Sequence, residues 1–295
     1  MKKIFLVFFL LLMTLNTQSQ EPSVEDSLEQ LTEEDEIIDG ILEEEEVDSF
    51  LKSVTKFKFL HLSIDYNTNT YFSGRDIGVN QFNSNPQITY LHSNGFFAGI
   101  SGVFFEQFTP QWDYTSATLG FAQKTGKSET FGWSASYTRY FFTNASEENT
   151  LENTISLGID LENKKKTLGT ELTTAYLFGS DDSFQITLST YGVISLSKKT
   201  NSHLKLRPEL QIIAAEQTIQ LSQIITVRDR EFTRYILNND FGLMNTQLLI
   251  PLQYSTGNID FELGYIVNFP TSLSGESALK ATDLFNFSIS YLFDL

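Results

Sequence analysis

"LENTISLGIDLE", residues 151–162, sorts its side chains into two sets by alternation alone. Leu151, Ile155, Leu157, Ile159 and Leu161 share one face, while Glu152, Thr154, Ser156, Gly158, Asp160 and Glu162 share the other. A helix, with about 3.6 residues per turn, would mix the two sets, whereas a strand keeps them apart. The segment is a strand with one apolar and one polar face.

The pattern recurs past Lys56. It predicts twelve strands, near Phe57–Tyr66, Pro86–His92, Phe96–Phe105, Tyr114–Gln123, Thr130–Phe141, Leu151–Glu162, Thr167–Phe178, Ser183–Leu196, His203–Ala214, Phe241–Tyr254, Ile259–Phe269 and Leu284–Phe293. Short connections ("HSNG", "KTGKSE", "NKKK", "SKKTNS", "STGN") interleave with mostly longer ones at Asn67–Asn85, Glu106–Asp113, Thr143–Thr150, Gly179–Asp182, Ala215–Asp240 and Pro270–Asp283. That rhythm is expected of an all-β, transmembrane, antiparallel up-and-down β-barrel with short periplasmic turns and longer extracellular loops. Gln217–Leu237 has strand-like stretches, but one more strand would break the even count, so it is read as an extracellular excursion. Alternation does not say which face meets water, and a soluble sandwich or lipocalin-like barrel carries the same pattern. Three features favour the membrane: strand length, a last strand that alternates to Leu295, and aromatics near strand ends. Trp112, Tyr114, Tyr137, Tyr140, Tyr176, Tyr265 and Phe269 are expected in an outer girdle, and Phe121, Phe131, Trp133, Tyr254 and Tyr291 in an inner one.

The start of the chain has a different character. Lys2 and Lys3, an apolar run from Ile4 to Met13 and a polar stretch with Thr17 and Ser19 have the layout of a secretory signal peptide, cleaved near Ser19–Gln20. Residues 1–19 are thus read as signal, 20–55 as an acidic periplasmic segment and 56–295 as the barrel, placing the protein in the cell outer membrane. With no cysteine in the chain, disulfides, lipidated cysteines and thiolate metal sites are excluded. After the signal no apolar run approaches the roughly 18 residues of a helical span.

Charge is unevenly spread. Of the 37 carboxylates, 14 lie between Glu21 and Phe50, where there is no Lys or Arg. Lys124, Lys127, Lys164, Lys165, Lys166, Lys198 and Lys199 fall in or beside short turns and are expected to ring the periplasmic mouth, with Lys52, Lys56 and Lys58 at its entrance. The acidic segment, with Val24, Leu28, Leu31, Ile38, Ile41 and Leu42 at near-helical spacing, either lies across that mouth or is a solvated tail. A periplasmic partner of that segment is a further expectation.

The C-terminal "LFNFSISYLFDL", with Phe285, Phe287, Ile289, Tyr291, Phe293 and Leu295 on one face, resembles the insertion signal by which outer-membrane proteins meet the barrel assembly machinery, although Asp294 and Leu295 follow the last aromatic. "YFSGRDIG", "PQITYLHSNGFFAGISG" and "WDYTSATLGFAQKTGKSETFGWSASYTRYFF" are similar, in order and spacing, to an aromatic and Arg-Gly start, a hairpin and a tyrosine-rich paired block in the TorF-type porin family. The likeness spans Tyr71 to Phe142 and implies a Gram-negative outer-membrane barrel, with no chemistry to carry over.

Candidate chemistry is sparse. In "HSNG", His92 and Ser93 suggest the dyad of outer-membrane phospholipase A, but neighbours on a strand point to opposite faces. Asn94-Gly95 between two alternating runs reads instead as a two-residue hairpin with a type I′ turn. His61 is expected to face the lumen and His203 begins a strand; neither has the neighbours of a metal site. No phosphate-cradling glycine loop or cofactor motif is present, and the acidic balance argues against nucleic acid. "RDREFTR" at Arg228–Arg234 is a mixed-charge run suited to solvent or to lipopolysaccharide phosphates; outer-membrane lipid and lipopolysaccharide are the expected surroundings.

With the apolar faces on lipid, Asp65, Glu152, Asp160, Glu162, Glu171, Glu209, Asp260 and Glu262 are expected to face inward against Lys205 and Arg207. Such a face either fills a closed barrel with paired charges or lines a small water-filled channel that favours cations and neutral solutes. Both stay open, a porin-like role and a structural or interaction role, with a lipid hydrolase a third reading.

Overall fold

The structure, a computed structural model, describes residues 58–76, 78–125, 130–143, 151–227, 230–272 and 278–295. The expected signal peptide, the acidic segment, Lys52, Lys56, Lys127, Arg228 and Asp229 lie outside the described residues.

Sixteen strand segments follow in chain order: β1 (Lys58–Asn67), β2 (Tyr71–Phe72), β3 (Arg75–Asp76), β4 (Asn83–His92), β5 (Phe96–Phe105), β6 (Trp112–Thr125), β7 (Phe131–Phe142), β8 (Asn153–Glu162), β9 (Leu168–Phe178), β10 (Asp182–Gly192), β11 (Ile194–Lys199), β12 (Ser202–Leu206), β13 (Glu209–Val227), β14 (Arg230–Thr256), β15 (Ile259–Pro270) and β16 (Thr282–Asp294). The small β2–β3 hairpin stands apart. The others form one antiparallel ring, in which β14 meets β15 and the last strand, β16, pairs with β1. β11 and β12 continue β10 and β13 past breaks at Val193 and at Arg207–Pro208, and both β12 and β13 pair with β14. Counted around the wall, the barrel therefore has twelve strands, each beside its chain neighbour.

Proline leaves its mark inside β4 as well. Pro86 sits opposite Ile64 on β1, while pairing of β4 with β5 skips from Ser84 to Gln87, as expected where a residue has no N–H to give. β4 nevertheless begins three residues earlier than Pro86, the residue at which the sequence placed its start.

Two expectations are corrected. Ala215–Asp240 is not a loop: β13 and β14 run on as a paired hairpin, through twelve residue pairs from Glu216↔Phe241 to Val227↔Arg230. The strand-like stretches are strands, and parity survives because the added pairs belong to two existing strands. The "HSNG" turn is not type I′. Among its residues only Gly95 has positive φ, at 94°, and the Gly95 N–H donates to the His92 carbonyl at 2.9 Å. This is a three-residue loop in which a type I turn is closed by a glycine bulge. A Cβ on Gly95 would run into the Ala122 carbonyl oxygen, so the position tolerates no side chain.

The exterior is apolar. Ile155, Leu157, Ile159 and Leu161 of β8 are 45–56% exposed. The same face continues through Leu119, Leu172, Leu188, Ile212, Ile250, Leu263 and Phe287 on other strands. A continuous apolar belt around a closed sheet is a surface for lipid, since water would penalise so large a patch.

Candidate functional site: the lumen wall

The inward face carries the polar half of the alternation. Seven of the eight predicted carboxylates lie on it: Asp65, Asp160, Glu162, Glu171, Glu209, Asp260 and Glu262 each alternate with or flank a residue of the outward face. Lys205 and Arg207 are there too. Glu152 is the exception. It precedes β8, and its carboxylate turns to the Arg139 guanidinium at 2.6 Å. Arg139 shares the outward face of β7 with Tyr137 and Phe141, so this pair belongs to the rim. Tyr137 and Arg139 also both donate to Asn153 Oδ1, at 2.7 and 3.0 Å.

Lys124 is the residue the sequence misplaced most. Expected at the mouth, it is 1% exposed inside the barrel, because β6 runs two residues past Gln123. Its Nζ donates to Glu162 at 2.8 Å and lies 3.9 Å from Asp160. Gly132 makes this possible. It stands between Lys124 and Asp160 in register, and a Cβ there would collide with the Asp160 carboxylate, which lies flat across the strand. Gly169 repeats the device between Glu162 and Tyr191: the tyrosine ring lies over it, and the hydroxyl donates to Glu162 at 3.0 Å. The Arg207 guanidinium stacks on the Tyr191 ring at 4.3 Å and donates to Glu209 at 3.1 Å. A linked row of charges thus runs along the wall from β6 to β13 near the short-turn end.

The other carboxylates also have neutral neighbours. Thr173 donates to Glu171 at 2.9 Å, Gln253 to Glu262 at 3.0 Å and Ser255 to Asp260 at 2.7 Å, while Asp65 stands opposite Ser288. Glu171, Arg207 and Glu209 line a cavity of about 470 Å³ with Thr173, Thr187, Ser189 and Gln211. On the far wall Gln87, inward between Ser63 and Ser101, is exposed. Water reaches the wall at these places, while Lys124, Lys205, Gln253, Ser255 and Asp260 are buried.

Beyond Asp65, toward the long loops, amides take over the wall. Asn67, Asn83 and Asn286 are linked side chain to side chain, and Asn268 accepts from both Asn245 and Gln247, at 3.0 and 2.9 Å. Tyr114 and Tyr140, expected in the outer girdle, point inward here and meet edge to face at 5.3 Å, with Phe142 against Tyr114. The girdle residues Trp112, Tyr137, Tyr176 and Phe269, and Phe131, Trp133, Tyr254 and Tyr291 below them, are outward and exposed.

The hydrolase residues stay apart: the His92 ring accepts from the Asn94 N–H at 3.1 Å. A serine and a histidine do meet elsewhere, Ser195 Oγ and His203 Nε2 at 2.8 Å across the β11–β12 hairpin. The sequence missed this pair, although "SKKTNS" between the two predicted strands places their ends side by side. A hydroxyl–imidazole contact alone supplies neither an oriented third group nor an oxyanion site.

No family model and no curated protein matches the chain. Among solved structures, an outer-membrane channel from Pseudomonas putida F1 is 9% identical over 82% of this chain and 98% of its own, with a TM-score of 0.49. The NanC porin is 10% identical over 79% and 98%, at 0.45. LpxR from Salmonella typhimurium is 8% identical over 80% and 100%, at 0.43. Likeness of this order carries no inference about activity, and the assignment rests on the strands and faces themselves. The described residues form a twelve-stranded, antiparallel, up-and-down β-barrel of the outer-membrane type, apolar outside and polar within.

Proposed function

We propose that the barrel is a porin-like channel of the outer membrane for small hydrophilic solutes, with its short turns in the periplasm. One observation carries this: long inward side chains are laid along the wall over glycines, and water reaches the face they leave. A barrel filled by its own side chains has no use for a glycine beneath Asp160 or Tyr191, since both would point to the axis. Conductance of the refolded protein in planar bilayers tests it; a folded, inserted barrel that passes no current overturns it.

A mild preference for cations accompanies the channel. The seven inward carboxylates outnumber Lys124, Lys205 and Arg207, so the field in the lumen is net negative. The triple variant Asp65→Asn, Glu171→Gln, Glu262→Gln is expected to move the reversal potential in a KCl gradient toward zero. Anion selectivity of the unaltered protein would contradict the reading. A hydrolase of the outer leaflet is disfavoured because Ser195 and His203 lie at the opposite end, on the β11–β12 hairpin.

A further inference from the structure

We infer that the first long loop, carrying β2 and β3, is folded into the barrel mouth and forms the constriction of the pore. This rests on the channel reading above. The loop is rooted beside β1 and β4, where Asn69 donates to Tyr71 Oη and Asn80, Thr70 donates to the Gln81 carbonyl at 3.1 Å, and Gln81, 2% exposed, accepts from the Gln107 N–H. Its tip is a tight hairpin: Ser73 and Gly74, between the paired Phe72 and Arg75, both have positive φ, 47° and 75°. Such a turn reverses the chain in two residues and makes a narrow finger.

The finger does not stand in solvent. Thr282 Oγ1 donates to the Gly74 carbonyl at 2.8 Å, the Arg75 guanidinium donates to the Thr271 carbonyl at 2.9 Å and Tyr71 donates to the Asp283 carbonyl at 3.1 Å. Gly74 presses on β14: a Cβ there would come 2.6 Å from the Asn245 amide nitrogen. Asn245 and Thr282 belong to the inward face, tied through Asn268. A loop that leaves β1 and touches them has therefore entered the ring. It has also crossed β16 and β15 to reach β14, three strand spacings or roughly 14 Å along the wall, in a twelve-stranded barrel only roughly 20–25 Å across between backbones. The open section beside the finger is a fraction of the barrel's own. Gly74 fixes how closely the finger lies to the wall, and Arg75, 9% exposed, brings a guanidinium beside the amides Asn245 and Asn268.

The chain has no cysteine, so a crosslink between two introduced ones has no competitor. In Gly74→Cys/Asn245→Cys the built Cβ at position 74 is 2.7 Å from the Asn245 Cγ position, near where the second sulfur would lie. The seated loop predicts that the pair crosslinks in the folded barrel, and that conductance is the same oxidised and reduced. Replacing 71–76 by a Gly-Ser linker should raise conductance about two-fold or more and admit larger neutral polymers. Thr282→Val, which removes the hydroxyl beneath Gly74 without straining the turn, should shift the polymer cutoff the same way if the cysteine at position 74 impairs folding. Absence of the crosslink in a folded barrel, or an unchanged cutoff after replacement of 71–76, overturns the inference. A crosslinked protein that conducts with neither the native finger nor the linker refutes the channel itself, and so the constriction, while leaving the finger's seat established.

Discussion

The two ends of the lumen wall solve the same problem with different chemistry. Near the short turns, Lys124, Asp160, Glu162, Tyr191, Arg207 and Glu209 form a linked row of charges, and two glycines let the long side chains lie sideways. Near the long loops the work falls to short amides, Asn67, Asn83, Asn245, Gln247, Asn268 and Asn286, each able to give and accept at once. Charged groups reach farther and bind harder, but each depends on its partner. Amides share their bonds among several neighbours. The difference teaches that polar lining is not one property: one end is held by few strong links, the other by many weak ones.

The contrast breaks first at Lys124. Lys124→Met would leave Glu162, 3% exposed, and Asp160 without their cation, which costs about 3–5 kcal/mol where a buried pair loses one member. The urea midpoint of the refolded barrel should fall accordingly. A shift no larger than that of an exposed charge would show that water in the lumen screens the row. Next in size is Asn268→Leu, which removes the acceptor of Asn245 and Gln247 and the donor to Thr282. With neighbours able to rebond in part, about 1–3 kcal/mol is expected by the same measurement, and a loss equal to that of Lys124→Met would erase the distinction between the ends. The smallest effect is at the rim. Arg139 and Glu152 are each about a third exposed, so Arg139→Ala should cost less than about 1 kcal/mol despite the 2.6 Å contact. A larger loss would mean that Asn153, held by both Tyr137 and Arg139, carries the edge of β7 and β8.

Much of this was legible. Period-two alternation located all twelve strands of the wall, because every strand has one apolar face turned outward and one polar face turned inward. What escaped depends on geometry that alternation does not encode. Lys124 has the same parity as Ser116 and Thr118, both inward, and extending β6 by two residues would have placed it; its position before a "TGK" turn suggested the mouth. Tyr140 was readable too, since Phe131, Trp133 and Tyr137 set the outward parity of β7 and an even-numbered residue falls inside. The girdle expectation overrode that count because a tyrosine suits a membrane interface and a wet lumen equally well. Gly132 and Gly169 gave no signal at all: their role exists only across strands, in the side chain that a neighbour lays over them.

The β13–β14 hairpin turns a detail of strand pairing into a mechanical fact. Beyond Gln185↔Ala215, among the described residues, only the Ser183 hydroxyl, on the Glu216 carbonyl, still ties β10 to β13, and twelve further residue pairs at about 3.3 Å each make a ribbon roughly 40 Å long. A load at its tip acts through that arm on its base. The base is the irregular step between Ile213 and Ala214, where the partner register jumps from Asn245 to Leu243 and leaves Met244 fully buried. Asn245, on one side of that step, is the residue against which Gly74 rests. The ribbon is thus a lever whose fulcrum adjoins the seat of the β2–β3 finger, so that, on the channel reading proposed above, a pull on the hairpin would be felt at the constriction.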